Sequence, residues 1–216
     1  MISKVVQTSA LISILGFNQV LATPANEHLL AEQEISLAIR HEVPFVNEVF
    51  KDNILLNLAY LEGIVSDPKN VNWEQVRKPS NYEFILNPGE SFAFHKDILP
   101  EYKEKRVVKT TNTYFNAQDG YKFSGYLYGD GVCHFASLIR WVAEEAGLEV
   151  LAPTNHDFAQ IPQIDQKDGV SIFYNPGAEL ANAKQNLYVT NNKQKLVKFV
   201  FLYQGDNLAV SVVEIN

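Results

Sequence analysis

The chain has 216 residues, 46% apolar and 12% aromatic, enough for one well-packed globular domain, and its composition is not that of a disordered segment. A formal charge of −7 and a pI near 5.2 exclude a general attraction for nucleic acid or anionic lipid. The small basic cluster Lys103, Lys105, Arg106 and Lys109 reads as a solvated face, not a phosphate site.

Residues 1–22 have the pattern of a secretory signal: Lys4, the apolar run "ALISILGF", and Val20-Leu21-Ala22 as a small-residue cleavage site. This predicts an extracytoplasmic protein, secreted or held at the cell envelope, with an uncleaved anchoring start as the alternative. No later segment has the length of a membrane span, so none is expected in the mature chain.

Residues 23–81 form an N-terminal region and linker. "EHLLAEQEISLAIR" is rich in strong helix formers, and "FVNEVFKDNILLNLAYLEG" follows Pro44 with Phe45, Val49, Ile54, Leu55, Leu58 and Leu61 as an apolar face and Gly63 as a stop. A pair of helices packed on the main domain is expected. The polar stretch 64–81 carries two prolines and reads as a loop.

From residue 82 to 216 the pattern changes to strands. "YEFILNPGESFAFH" gives two strands around an Asn-Pro-Gly turn, and "RVVKTTNTYF" with "YKFSGYLY" predicts a hairpin about "NAQDG". "GVSIFYN", "NLYVTNN", "LVKFVFLYQ" and "NLAVSVVEI" follow, the last two joined by a short turn. The fold class is therefore α+β: an antiparallel β-sheet domain with one embedded central helix, opened by Cys133.

That helix lies in "GDGVCHFASLIRWVAEEAG". Phe135, Leu138, Ile139, Val142 and Ala146 form its core stripe, and the wheel places Cys133 on another face, with Ser137, Arg140 and Glu144. Gly129 and Gly131 permit a tight left-handed turn that leaves free amides at the first turn. A thiolate there is favoured by the helix dipole, and the same amides could serve as an oxyanion hole.

Cys133 is the only cysteine, so no intramolecular disulfide is available. A nucleophile needs a base. His28 and His41 belong to the N-terminal region, His95 closes a strand, and His134 projects about 100° away from Cys133 on the helix. His156 is the candidate base, with Asp157, Asp165 or Asp168 to orient it, and Asp168 is taken as the third catalytic member. A lone loop histidine is more often simply hydrogen-bonded. Cys133, His95, His134 and His156 show no tight zinc-ligand spacing, so no metal and no cofactor is assigned.

The blocks "NPGESFAFH", "GDGVCHFASLI" with "AGLEV", "NHD" and "NLYVTNN" resemble, in order and spacing, those of the VanW-like family, named for an accessory protein of vancomycin-resistance clusters. The resemblance spans about Leu86 to Val212. Gly129, Gly131, Cys133, Ser137 and His156 match the family pattern. Asp130 replaces a glycine, His134 a glutamine and Asp157 a serine. The family implies an extracytoplasmic, envelope-linked protein and carries no established activity. The cysteine helix is also similar, at the level of fold, to transglutaminase-like and papain-type enzymes.

Two functions follow. One is acyl transfer or amide hydrolysis on peptidoglycan or envelope peptides: Cys133 attacks, His156 moves the proton, Asp168 orients it, and Gly129, Gly131, His134, Ser137 and Asp157 line the binding site. The other is a non-catalytic module for cell-wall glycan, peptide or an envelope partner, with Cys133 structural. Its surface would come from Tyr114, Phe115, Tyr121, Phe123, Tyr126 and Tyr128, most of which are expected in the core. The sequence leaves the oligomeric state open.

Overall fold

The computed structural model describes residues 26–216, so the expected signal segment lies outside the described residues. Two four-stranded sheets carry the fold. The chain runs β1 (Glu27–Ser36), α1 (Pro44–Leu61), α2 (Trp73–Val76), β2 (Ser80–Leu86), β3 (Ser91–His95), β4 (Val107–Thr111), α3 (Val132–Glu145), β5 (Glu149–Leu151), α4 (Glu179–Lys184), β6 (Tyr188–Thr190), β7 (Leu196–Gln204) and β8 (Asn207–Ile215). The first sheet is antiparallel in the order β1-β8-β7-β2, and the second is mixed in the order β4-β3-β6-β5 with β3 and β4 parallel. The α+β class holds. Among the described residues no helix is long and apolar enough to cross a membrane.

Three local expectations are corrected. Residues 27–36 are a strand, not a helix: the Glu, Leu and Ala content favours helix, but the open edge of β8 supplies a full ladder of partners, and that tertiary pairing outweighs propensity. The hairpin about "NAQDG" does not form, because β4 pairs in parallel with β3 and residues 122–129 fold back on themselves. "GVSIFYN" is no strand of either sheet: its Val170 and Ile172 amides are taken by side chains of α3, and its Ser171 and Phe173 amides by the Thr154 and Gln185 carbonyls.

The core lies where the two sheets meet around α3. On β7, Val197, Phe199, Phe201 and Tyr203 alternate inward, as the two-residue period of a half-buried strand requires. Phe84 of β2 stacks on Phe199 and on Phe92 of β3 at centroid distances of 5.1 and 5.5 Å, tying one sheet to the other. Phe135 of α3 reaches both Phe94 of β3 and Phe201 of β7. The stripe Phe135, Leu138, Ile139 and Val142 is fully buried, as its helical spacing predicts.

α1 is buried on nearly all sides and carries Asp52, Asn53 and Asn57 inside. Of the apolar face expected there, Val49, Ile54, Leu55, Leu58 and Leu61 are buried, but Phe45, in the first turn, is exposed. The buried polar groups are each answered. Asn53 donates to the carbonyls of Lys122 and Asp130 and accepts from the Lys122 amide, Asn57 accepts from the Tyr121 hydroxyl, and Asp52 is paired with Arg77 and Lys122.

Candidate functional site

The turn into α3 is built as the two glycines predict. Gly129 and Gly131 have φ of +79° and +107°, and Gly131 is the N-cap residue. A Cβ at Gly131 would stand 2.5 Å from the Phe50 carbonyl oxygen, so only glycine lets α3 start this close to α1. Not all first-turn amides are free, because the Val132 amide donates to the Gly129 carbonyl at 3.1 Å.

Cys133 is partly buried and packs against the core. Its Sγ accepts from the Ile172 amide at 3.4 Å and points its own proton toward the Ile172 carbonyl at 3.6 Å. One turn along the helix, the Ser137 hydroxyl donates to the Cys133 carbonyl at 2.7 Å and accepts from the Val170 amide at 2.8 Å. The match is geometric: four helical residues advance about 6 Å and two extended residues about 6.6 Å. Cys133 and Ser137 thus bind the 170–172 backbone as a neighbouring strand would. The other edge of the same segment meets residues 154–156, through Ser171 N to Thr154 O and His156 N to Gly169 O.

This environment does not make a thiolate. Burial pushes the Cys133 thiol up to about 11, against the opposing hydrogen bond from Ile172, and the nearby Asp130 adds to the rise. The expected lowering by the helix terminus is outweighed by desolvation.

The structure brings His134 and His156 together, with ring centroids 6.3 Å apart, and leaves the buried Nδ1 of each without a hydrogen-bond partner. His134 also packs on Phe50 at 5.0 Å, and His156 on the exposed Phe158 at 4.0 Å. Burial, reinforced by Arg40, lowers the His134 pKa to about 3, and burial lowers that of His156 as well. A neutral His134 supplies no charge that would raise the thiolate fraction.

Neither imidazole is hydrogen-bonded to Cys133, whose partners are the Ile172 backbone groups. Asp168 is buried, but its carboxylate lies 3.5 Å from Lys167 Nζ and not on a histidine; burial raises its pKa. Asp157 is exposed, and its carbonyl accepts from Gln166. Cys133, His156 and Asp168 therefore do not form a hydrogen-bonded relay here. His95, wholly buried, bonds the Gln185 carbonyl at 3.1 Å and is depressed to about 4 by burial.

Against the geometry of the cysteine turn stands the comparison with known families. A family model described as "VanW like protein" matches residues 72–213, about two thirds of the chain. The chain belongs to the VanW-like family. Comparison with curated proteins and with solved structures finds no match, and the likeness to transglutaminase-like and papain-type enzymes has no counterpart in these results. The matched region of this VanW-like protein contains α3 and both sheets except β1, while α1 and β1 precede it.

Two features escaped the sequence. Arg40 is 2% exposed beside His134, and each of its three guanidinium nitrogens donates to a neutral acceptor: Ser36 O at 2.8 Å, Pro162 O at 3.0 Å and Gln163 Oε1 at 2.6 Å. Nothing in "LAIRHE" distinguishes it from a surface arginine. Asp130 accepts from the Ser124 hydroxyl, closing the base of a short aromatic loop. Within that loop Ser124 N bonds Leu127 O at 3.2 Å, and Phe123 faces Tyr128 at 5.0 Å. Phe123, Tyr126, Leu127 and Tyr128 are exposed, Tyr126 by 80%, whereas Phe115 and Tyr121 fill the core. The signal for the loop was Ser-Gly between aromatics, a turn within "KFSGYLYG" itself.

Proposed function

We propose that this VanW-like protein is a non-enzymatic binding module for cell-envelope glycan, with the 122–129 aromatic loop as its contact surface and Cys133 as a structural thiol. The observation that carries the reading is the loop's combination of exposure and anchorage. Four large apolar side chains face solvent on a turn whose base is fixed by Asn53 and by the Ser124–Asp130 hydrogen bond. An exposed aromatic group of this kind marks a contact surface, and its rings are suited to stacking on the apolar faces of sugar rings. The signal-like residues 1–22 and the family's envelope association favour a wall polymer as the ligand. Retention on isolated peptidoglycan is the test: Phe123→Ala with Tyr126→Ala should abolish it, and alkylation of Cys133 should not. Retention that survives the double substitution would refute the reading.

A second reading, acyl transfer by Cys133, is favoured by one observation, the two buried and unpartnered Nδ1 atoms beside the cysteine turn. Its test is mass spectrometry of purified peptidoglycan after incubation with the protein. Changed stem peptides that disappear with Cys133→Ala would support it, and unchanged masses would end it.

A further inference from the structure

Residues 157–165 form a strap beside the start of α3, tied to the turn that follows β1. Gln163 is the clasp: its Oε1 accepts from the Ser36 amide at 2.8 Å and from Arg40 Nη2 at 2.6 Å, while Arg40 Nη1 donates to the Pro162 carbonyl at 3.0 Å. Gln163 holds this position at φ of +65°, a left-handed conformation that is costly for a residue with a side chain. Ile161 and Ile164 are buried, whereas Asp157 to Gln160 are exposed.

Where the strap begins, His156 meets His134 of α3, and the surroundings suit two neutral rings. A neutral imidazole carries one N–H and one lone pair, but an imidazolium carries an N–H on both nitrogens. Protonating either ring therefore places an N–H on an Nδ1 that is buried and has no acceptor among the described residues. The charges around the pair do not compensate. His134 faces Arg40, His41 and His156, and the wholly buried Arg40 donates to neutral acceptors. The carboxylate beside His156 is Asp157, which is exposed to solvent, and Arg140 binds the Gly169 carbonyl that also receives the His156 amide. Asp168 is paired with Lys167, Asp130 accepts from Ser124, and α1 presents Phe50 to the His134 ring.

We infer that this cluster makes the strap an acid-released latch: below about pH 6 it detaches, freeing both imidazoles and uncovering Ile161, Ile164 and the first turn of α3. The strap yields before α3 does, because its clasp is strained and its outer half exposed, while the helix is locked into the core by Phe135, Leu138 and Ile139. Burial depresses both imidazole pKa values in the closed form. The closed form is therefore favoured above the ordinary histidine value of about 6.5, and that preference is lost as pH falls from there toward the closed-state value. With His134 at about 3 when closed and about 6.5 when released, the ratio of open to closed strap rises about thirtyfold between pH 7.5 and pH 5. The latch does not rest on the glycan reading of the aromatic loop.

The experiment is amide hydrogen exchange followed by NMR, with each rate corrected for the intrinsic rate at that pH. The probes are the Ser36 amide, bound to Gln163, and the Ile164 amide, bound to the Ile161 carbonyl at 3.2 Å. Both should exchange about thirtyfold faster at pH 5 than at pH 7.5, with the amides of the β7–β8 ladder unchanged. His134→Gln with His156→Gln removes both titrating rings and should bring that ratio close to one while circular dichroism shows the fold retained. Wild type supplies a check that needs no variant: the ring signals of His134 and His156 should show no titration near pH 6.5. A wild-type exchange ratio near one, a high ratio persisting in the folded double variant, or titration of both rings near pH 6.5 with the strap still protected would each overturn the inference.

Discussion

Alkylation of Cys133 as a function of pH decides between a reactive and a structural thiol. With the folded thiol at about 11 against a reference of 9.0, the thiolate at pH 8 falls from roughly a tenth of the population to roughly a thousandth, a ~100-fold loss. The more basic thiolate is intrinsically more nucleophilic, which recovers about tenfold over two pKa units. The net expectation at pH 8 is labelling by iodoacetamide about tenfold slower in the folded protein than in the same chain unfolded in urea, before any shielding by Ile172. The profile is more telling than the rate. In the folded protein the logarithm of the rate should rise with pH throughout the range in which circular dichroism shows it folded, while the unfolded chain levels off near pH 9. A folded-state plateau below that point, with a rate at or above that of the unfolded chain, would refute the assignment of desolvation as the dominant effect.

Ser137→Ala removes the acceptor of the wholly buried Val170 amide and should cost about 1–3 kcal/mol in urea denaturation; an unchanged midpoint would mean that the 170–172 segment is held by other contacts. Gly131→Ala forces a side chain onto φ of +107° and against the Phe50 carbonyl and should cost upward of about 2 kcal/mol, read as a fall in melting temperature. For Asp52, burial alone would raise the pKa, but hydrogen bonds and charge from Arg77 and Lys122 outweigh it and hold the pKa below the ordinary 3.8. A depressed carboxylate contributes stability above its unfolded pKa and loses it as pH falls through the folded one. The advantage of wild type over Asp52→Asn should therefore persist at neutral pH and shrink below about pH 4, measured by urea titration at several pH values.

The face of α3 was legible in the sequence and its covering was not. The helical wheel put Cys133 with Ser137 and Arg140, and these side chains do share a surface: all three bond the 169–172 backbone. Periodicity shows which residues avoid the core stripe, but it does not show that an extended segment some thirty residues downstream lies over them. The same limit explains "GVSIFYN", whose strand-like composition is satisfied by a helix's side chains. β1 failed for the opposite reason, since its composition favours helix and only the edge of β8, supplied from the far end of the sequence, makes it a strand. In α1, the polar residues Asp52, Asn53 and Asn57 amid an apolar run were the available sign of buried partners. The composition could not say that Asn53 holds an exposed aromatic loop.

The pairing of β1 with β8 also governs the order of folding. Ser211 bonds Glu32 across 179 residues of sequence, among the longest loops the chain can close. The strand synthesised first therefore remains without its ladder until β8 has been made, which predicts slow closure typical of high contact order. Once made, and until β1 docks, β8 presents an open edge to any other nascent chain. Aggregation during refolding should therefore track the docking of β1, and a free peptide spanning residues 26–37 should suppress it by occupying the edge in trans.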